Sequence, residues 1–501
     1  MTVASIYLLL CVVGLPFWVA QQHLGGRSIL FVLMSCVYAA YAVITGSGIP
    51  MDNITLIVGC LAAWLCSSLV WSNTHKSTFE LFNWLSYLVL FCAARTVPLA
   101  FIALCIFFVC VLFATFQMYS IVVKKQWHPE TAYYAFNNGN HTGAFMLGGL
   151  FAGLWLAFNL SLWLFPFVAL VAAALITSKC KGAILAALAG TVAVTYASGH
   201  WQIGIWLSAV AFVVAFLIYC KWPHHVEKSF LGRIGLYRAA VELIRQKPIA
   251  GWGLNSYAKE LPETDTITLS ATDENKRSHR VHNDHLEIIV EVGVIGYILI
   301  VSLFSSISYD PIIFGLLAAC AVCACFFFPL REVHTAAPLW AVMGASAGGI
   351  LTPVSLPPIV IILVCAIIIA VAMKTLKIFR GQWYSEMAKN KKGITHAEKL
   401  ALYDIALEND PDNGGYLSDA AYLNFELYPV KAFHLMERAV VNYDGERRKH
   451  QIYDLYTRCL IKAGETKIGL WAENCALQLE KDYDPAITVK NYLYLKERKA
   501  H

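Results

Sequence analysis

The chain has 501 residues, of which 58% are hydrophobic and only 14% charged, with a mean hydropathy of +0.58. A soluble domain carries about 25% charged residues, so a water-soluble globular protein is excluded. The net charge of +5, with no polybasic arm, leaves no case for nucleic acid as a partner.

The apolar residues fall into separate runs of roughly membrane-spanning length, which predicts an all-α, polytopic membrane helical bundle. About thirteen spans are expected, over 3–20, 27–45, 53–71, 79–95, 98–122, 142–158, 160–177, 182–198, 201–220, 286–306, 310–328, 335–351 and 356–374. The first lacks a basic leader and is followed at once by further apolar runs, so it reads as a helix rather than a signal peptide. Most of the fifteen cysteines, among them Cys60, Cys105 and Cys320, sit inside these runs as small hydrophobes without zinc-type spacing. Two connections are long, 123–141 and 221–285. The chain therefore divides into a transmembrane part, 1–374, whose large loop is 221–285, and a polar part, 375–501.

The polar part reads as paired amphipathic helices. Ala397–Leu407 stops at Asn409-Asp410-Pro411-Asp412-Asn413-Gly414, Tyr416–Leu427 stops at Pro429, and Lys431–Val441 follows. Further helices are expected near 447–463 and 467–480 and after Pro485. The pattern looks like soluble tetratricopeptide-type hairpins, which stack into a concave partner surface; a plain helical cap is the alternative. Cys459 and Cys475, the two cysteines of this part, are expected to pack rather than pair.

Counting crossings puts 123–141, the turn Ser178-Lys179-Cys180-Lys181, 221–285 and the polar part on one face. The opposite face has short turns nearly free of charge. The candidate chemistry shares that first face. The loop 221–285 holds Arg233, Tyr237 and Arg238 on a helix-like stretch, then Lys247-Pro248-Ile249-Ala250-Gly251-Trp252-Gly253, a turn. The arginines are either snorkelling cations or a clamp for diphosphate, whose oxygens a guanidinium fork matches. His279, Arg280 and His282 precede the next span, and Glu291 lies inside it, where a carboxylate is costly unless used. His282 is suited to general-base work. His279, His282 and His285 carry no zinc signature, so no metal and no cofactor are expected. Gly293 and Gly296 would admit a close neighbouring helix. Phe136-Asn137-Asn138-Gly139-Asn140-His141 reads as a loop leading into a helix cap, with amides that could instead contact a sugar or phosphate. Lys181 opens a helix on the same face.

Together these segments resemble the bacterial O-antigen ligase and polymerase superfamily, which includes the O-linked protein oligosaccharyltransferases. The resemblance runs from about Ala135 to Gly296. It rests on His282-Asn283 followed by Leu286, Glu291, Gly293 and Gly296, on the Pro248–Gly253 turn, on Arg233 and the Tyr237-Arg238 pair, and on Asn140-His141. At Cys180-Lys181-Gly182-Ala183 the family has S-R-G-A; lysine keeps the charge but loses the bidentate fork.

The resemblance implies metal-independent transfer of a glycan from undecaprenyl diphosphate to lipid A core or a protein hydroxyl. The reaction would take place on the periplasmic face of a bacterial inner membrane, although lysine and arginine bias alone would put this basic face in the cytoplasm. His282, Arg280 and Glu291 are the expected catalytic residues. Arg233, Arg238, Lys181, Asn140, His141, Tyr237 and Asn283 are expected to bind substrate. Arg233, Arg238 and Arg280 would neutralise the diphosphate, His282 would deprotonate the acceptor, and direct displacement would invert the anomeric carbon. A repeat-unit polymerase of the same superfamily is the first alternative. A transporter or lipid-linked glycan flippase is the second, disfavoured because polar groups cluster on one face instead of running through both halves.

Overall fold

The computed structural model describes residues 2–17, 24–45, 52–72, 74, 76–123, 125, 139–200, 202–206, 223–260, 280–307, 309–348, 357–391, 393–442 and 449–463. All regular elements among these residues are helical, as expected of a bundle. Phe136, Asn137, Asn138, His279, Cys475, most of the expected span 201–220 and the tail helices beyond 463 lie outside the described residues.

The chain opens with α1 (Val3–Leu9), prolonged by a π turn at Leu10–Gly14. Then come α2 (Leu24–Thr45), α3 (Asn53–Ser67), α4 (Ser77–Ala94), α5 (Leu99–Val122), α6 (Gly139–Asn159), α7 (Phe165–Thr177) and α8 (Lys181–Ala197). After these follow α9 (Pro223–Gln246), the single turn α10 (Tyr257–Glu260), α11 (Asp284–Ser305), α12 (Pro311–Ala324), α13 (Val333–Ala347) and α14 (Pro358–Asn390). Seven of these, α2, α3, α4, α5, α6, α11 and α14, are long and apolar enough to cross a membrane, and α1, α7, α8 and α12 are shorter apolar helices. The protein is a multi-pass membrane protein. Ile359, Ile362, Leu363 and Ile367 of α14 stay exposed, as a lipid-facing helix requires.

An aromatic core locks α4 to α13. Tyr87 stacks on Trp340 with ring centroids 6.0 Å apart, and Trp84 meets the same ring edge-on at 6.2 Å. At the far end of the bundle, Arg95 of the α4–α5 turn holds Asp52 in a salt bridge and donates to Gly348 O at 2.7 Å. That contact ties the ends of α3, α4 and α13 together.

The helix α11 is broken at Gly293, whose φ of 70° and ψ of −178° no helix tolerates. Backbone groups released inside a membrane helix must find partners, and here each does. Val290 O and Glu291 O accept from the amides of Trp252 and Gly253 at 2.8 Å each. Val292 O accepts from Trp64 Nε1 at 2.8 Å. Val294 N and Ile295 N donate to Pro248 O and Ile249 O at 2.9 and 3.5 Å. The Pro248–Gly253 turn is thus a patch on an opened helix. A Cβ on Gly293 would lie 2.0 Å from Ile249 O, so the close approach expected of this glycine is made by backbone rather than by a neighbouring helix.

The expected span 310–328 ends earlier, at Ala324, and the next begins at Val333. Residues 325–332, including the apolar Phe326, Phe327 and Phe328, form a connecting strap between them. Apolarity alone extends a predicted helix through such residues; here their rings are held by side chains from other helices.

The polar part begins as the charged end of α14 and continues through α15 (His396–Asn409), α16 (Gly414–Asn424), α17 (Pro429–Asn442) and α18 (Lys449–Ala463). Thr395 and Glu398 form a capping box on α15, and Asn413 caps α16. Tyr403 and Ala420 pack with Ala388 of α14, and Leu417, Met436, Ile452 and Cys459 fill the space between α16, α17 and α18. The stops at Asn409–Gly414 and Pro429 fall where the residue types predict them.

Candidate functional site

His282 sits immediately before α11, in a left-handed backbone conformation with φ of 58°. A non-glycine residue there is strained by about 1–3 kcal/mol, and such strain clusters at functional sites. Neighbours on both sides fix it. Asn283 Oδ1 caps α11 by accepting from Leu286 N at 3.1 Å, and Tyr237 Oη of α9 donates to His282 O at 3.2 Å and to Cys325 O at 2.7 Å. Tyr237 therefore ties α9, the His282 turn and the strap into one unit, and the apolar face of α9 (Leu236, Ala239, Ala240, Leu243) seals it against Val281 and Val290.

The imidazole of His282 lies against Phe328 at 5.0 Å, and its buried Nδ1 has no hydrogen-bond partner among the described residues. Burial pushes its pKa down to about 4, with repulsion from the Arg233 and Arg280 charges adding to the effect and Glu287 opposing it. His282 is accordingly neutral at pH 7 and able to accept a proton. A lowered pKa keeps the ring in its basic form until the pH falls to that value. The acid limb of kcat/KM, which follows the free protein, is therefore expected near pH 4 and not near 6.5. A diphosphate beside the ring favours the protonated form, so the limb in kcat is expected at higher pH than the limb in kcat/KM. Coincident limbs near 6.5 in the measured pH profiles would contradict the buried ring.

Two arginines flank this histidine. Arg280 lies over Phe328, with 5.7 Å from Cζ to the ring centre, and pairs with Glu287 at 2.8 Å. Half-buried Arg233 lies over Phe326 at 6.0 Å. Gly182, next to Lys181 at the start of α8, packs on the same Phe326 side chain, whose Cβ lies 3.2 Å and whose ring lies 3.6 Å from where a Cβ on Gly182 would be. The strap's three phenylalanines thus gather residues from four separate segments: Arg233 and Gly182 around Phe326, His141 against Phe327 at 4.7 Å, and His282 with Arg280 around Phe328.

Beneath the arginines lies a buried ionic cluster. Arg331, at the end of the strap, donates to Glu287 Oε1 at 2.5 Å and to Glu291 Oε1 at 3.1 Å, and approaches Glu80 of α4 at 3.7 Å. Glu287 also accepts from Val281 N at 2.8 Å, so it supports the backbone next to His282. Asp284, fully buried, accepts from Leu330 N at 2.9 Å and pins the strap to α11.

The residues singled out in the sequence fare differently. His282, Arg280, Arg233, Tyr237 and Asn283 come together. Lys181 is exposed beside them, and Asn140 and His141 begin α6, with His141 reaching the strap. Arg238 is exposed on α9. Glu291 is buried and held by Arg331. His285 does not share a ligand set with His282. Its Nε2 donates to Ala321 O at 2.9 Å and its Nδ1 accepts from Tyr297 at 3.1 Å. Sequence reasoning missed Phe326–Phe328, Arg331, Glu332 and His334. The available signal was the cluster R-E-V-H between two apolar runs, three ionisable groups within four residues.

Below His285, a cavity of about 690 Å³ opens between α11 and α12, lined by apolar side chains including Ile288, Ile300, Phe304, Leu317 and Ala318. Neither the curated proteins nor the solved structures include a match to this chain. A family model does match: residues 141–301 correspond to the family described as O-antigen ligase. That stretch contains His282, both flanking arginines, the patched break at Gly293 and the start of α6, and over it the chain is similar to the O-antigen ligase family, which supports membership of that superfamily of membrane ligases and polymerases.

Proposed function

We propose that this protein transfers a preassembled glycan from undecaprenyl diphosphate to an acceptor hydroxyl, on lipid A core or on protein, at the periplasmic face of a bacterial inner membrane. The observation that carries the reading is the buried His282 Nδ1, without a partner among the described residues and close enough to Arg280 and Arg233 for both charges to act on the ring. His282 takes the proton of the acceptor hydroxyl, whose oxygen attacks the anomeric carbon. The bond from that carbon to the diphosphate oxygen breaks, the diphosphate keeps the electron pair, and the configuration inverts. Diphosphate is a good leaving group once its charge is neutralised, and the two arginines are placed to do this. Lys181, at the same rim, adds a point charge. Glu291 is a positioning residue here, acting through Arg331. The apolar cavity running from His285 between α11 and α12 has the character an isoprenoid chain needs.

The chain's polar part favours a protein acceptor over lipid A core, because packed helices such as α15–α18 offer a surface to a macromolecule. The test is incubation of purified protein with an undecaprenyl-diphosphate oligosaccharide and each acceptor, without added metal. Addition of one whole glycan per acceptor is the expected result. A ladder of repeat units would favour the polymerase, and absence of product with every acceptor would overturn glycosyl transfer. In the same assay, Arg233→Lys is expected to raise the KM for donor by about tenfold, ~1.4 kcal/mol, through loss of the fork. Arg245→Lys, on the exposed flank of α9, is expected to leave it within about twofold. Equal effects would count against a guanidinium clamp.

A further inference from the structure

We infer that His141, Glu332 and His334 form a binding site for one divalent transition-metal ion of the zinc class, which clamps the start of α6 to the start of α13. The three residues bring one ligand atom each to within 4.8 Å of one another. Glu332 belongs to the strap end, His334 to the first turn of α13 and His141 to α6, 193 positions from His334. His141 Nδ1 and His334 Nε2 stand 3.0 Å apart with their rings tilted at 43°. Ligand atoms about 2.1 Å from a tetrahedral ion are roughly 3.4 Å apart, so the imidazoles part by a few tenths of an ångström to admit one. Glu332 then closes from the half-exposed side by rotating its carboxylate.

The donor set is two imidazoles and a carboxylate, which suits zinc and its neighbours in the first row and not magnesium or calcium, whose ligands are oxygens. Burial supports the same conclusion. His334 is 1% exposed and His141 8%, so both rings are already fixed, and an ion here loses little affinity to ordering its ligands. Three protein ligands leave one position for water or a further group.

The place of the ion in the fold defines its role. His141 touches Phe327, Phe327 touches Phe328 at 5.2 Å, and Phe328 carries His282 and Arg280. An ion held by His141, Glu332 and His334 fixes the strap at the end next to Arg331, and through the phenylalanine pair fixes the wall against which His282 lies. It is a clamp on the strap and not the counter-ion of the diphosphate, which falls to the arginines. The inference rests on the cluster's own geometry and stands whether or not the transfer reading does.

The experiment is a cobalt titration of the full chain in detergent or nanodiscs after removal of metal, with zinc content by mass spectrometry as the second readout. The wild type is expected to bind one ion per chain and to show the visible absorption of four-coordinate cobalt. His141→Ala, His334→Ala and the isosteric Glu332→Gln are each expected to weaken binding by at least about 10–100-fold, the cost of losing even an outer partner of a metal ligand. His285→Ala, at a histidine outside the cluster, should bind as the wild type does. Melting of each metal-free variant shows whether it is folded, and Glu332→Gln keeps the size of the side chain it replaces and one of its acceptor oxygens. A wild type that takes up no stoichiometric ion overturns the proposal and leaves the histidines as a hydrogen-bonded pair. Unchanged affinity in a folded His334→Ala protein overturns it equally.

Discussion

His282→Ala is expected to reduce glycan transfer by about 10²–10⁴-fold, the range for loss of a positioned general base, while the protein stays folded in the membrane. The fold should survive because the ring of His282 supplies no hydrogen bond to the bundle. Its backbone carbonyl is the group Tyr237 holds, and Asn283, not His282, caps α11. Alanine is less at ease than histidine in the left-handed conformation, which adds a modest stability cost. The measurement is initial rate with lipid-diphosphate donor beside a melting curve of the same preparation. Near-normal transfer by a folded His282→Ala protein would remove this residue from the mechanism. Loss of transfer with donor binding retained would separate its role from that of the arginines. Arg280 and Arg233 variants, by contrast, should lose donor affinity first.

The second large effect falls on a residue outside the expected site. Arg331→Met should destabilise the protein by about 3–5 kcal/mol, because removing one partner of a buried ion pair strands the other charge. Two carboxylates lose a bond here, and one of them is stranded. Glu287 keeps Arg280 and Val281 N, but Glu291 loses both of its bonds to Arg331. Adding Glu291→Gln to Arg331→Met should restore part of that loss, since a neutral amide is less costly to bury than a carboxylate. A double-mutant cycle on thermal stability measures the coupling. Additive effects of the two substitutions would show that the pair is not energetically joined. Because Glu287 bridges both arginines and the Val281 amide, Arg331→Met should also disturb the His282 turn, and kcat should fall in whatever folded fraction remains.

Much of this arrangement was legible in the residues. Run length and charge content predicted a helical membrane bundle, since a bilayer accepts backbone only as helices or closed barrels. Proline, glycine and Asx residues marked the stops in the polar part, where local conformational preference decides. His282-Asn283 and the spaced glycines singled out a candidate site, and the structure brings Arg280, Arg233 and Tyr237 close to it.

What the sequence did not determine were the encounters between distant segments. Helical periodicity reports which residues share a face, not which faces meet. Arg233 and Arg238 lie on nearby faces of one helix, and periodicity does not tell that Arg233 meets the strap while Arg238 is exposed. Phe326–Phe328 read as the end of a span until side chains from α6, α8, α9 and the His282 turn hold them as a strap. Glu291 looked catalytic because a membrane carboxylate is costly; tertiary structure supplies its partner 40 positions away in Arg331. The break in α11 survives because a turn about 40 residues earlier satisfies the carbonyls and amides that Gly293 releases. The sequence by itself determined the apolar helices and the stops of the polar part, and it singled out His282 as a candidate. Only the tertiary structure decided which charges pair, because burial makes an unpaired charge too costly to keep and the partner that removes that cost comes from elsewhere in the chain.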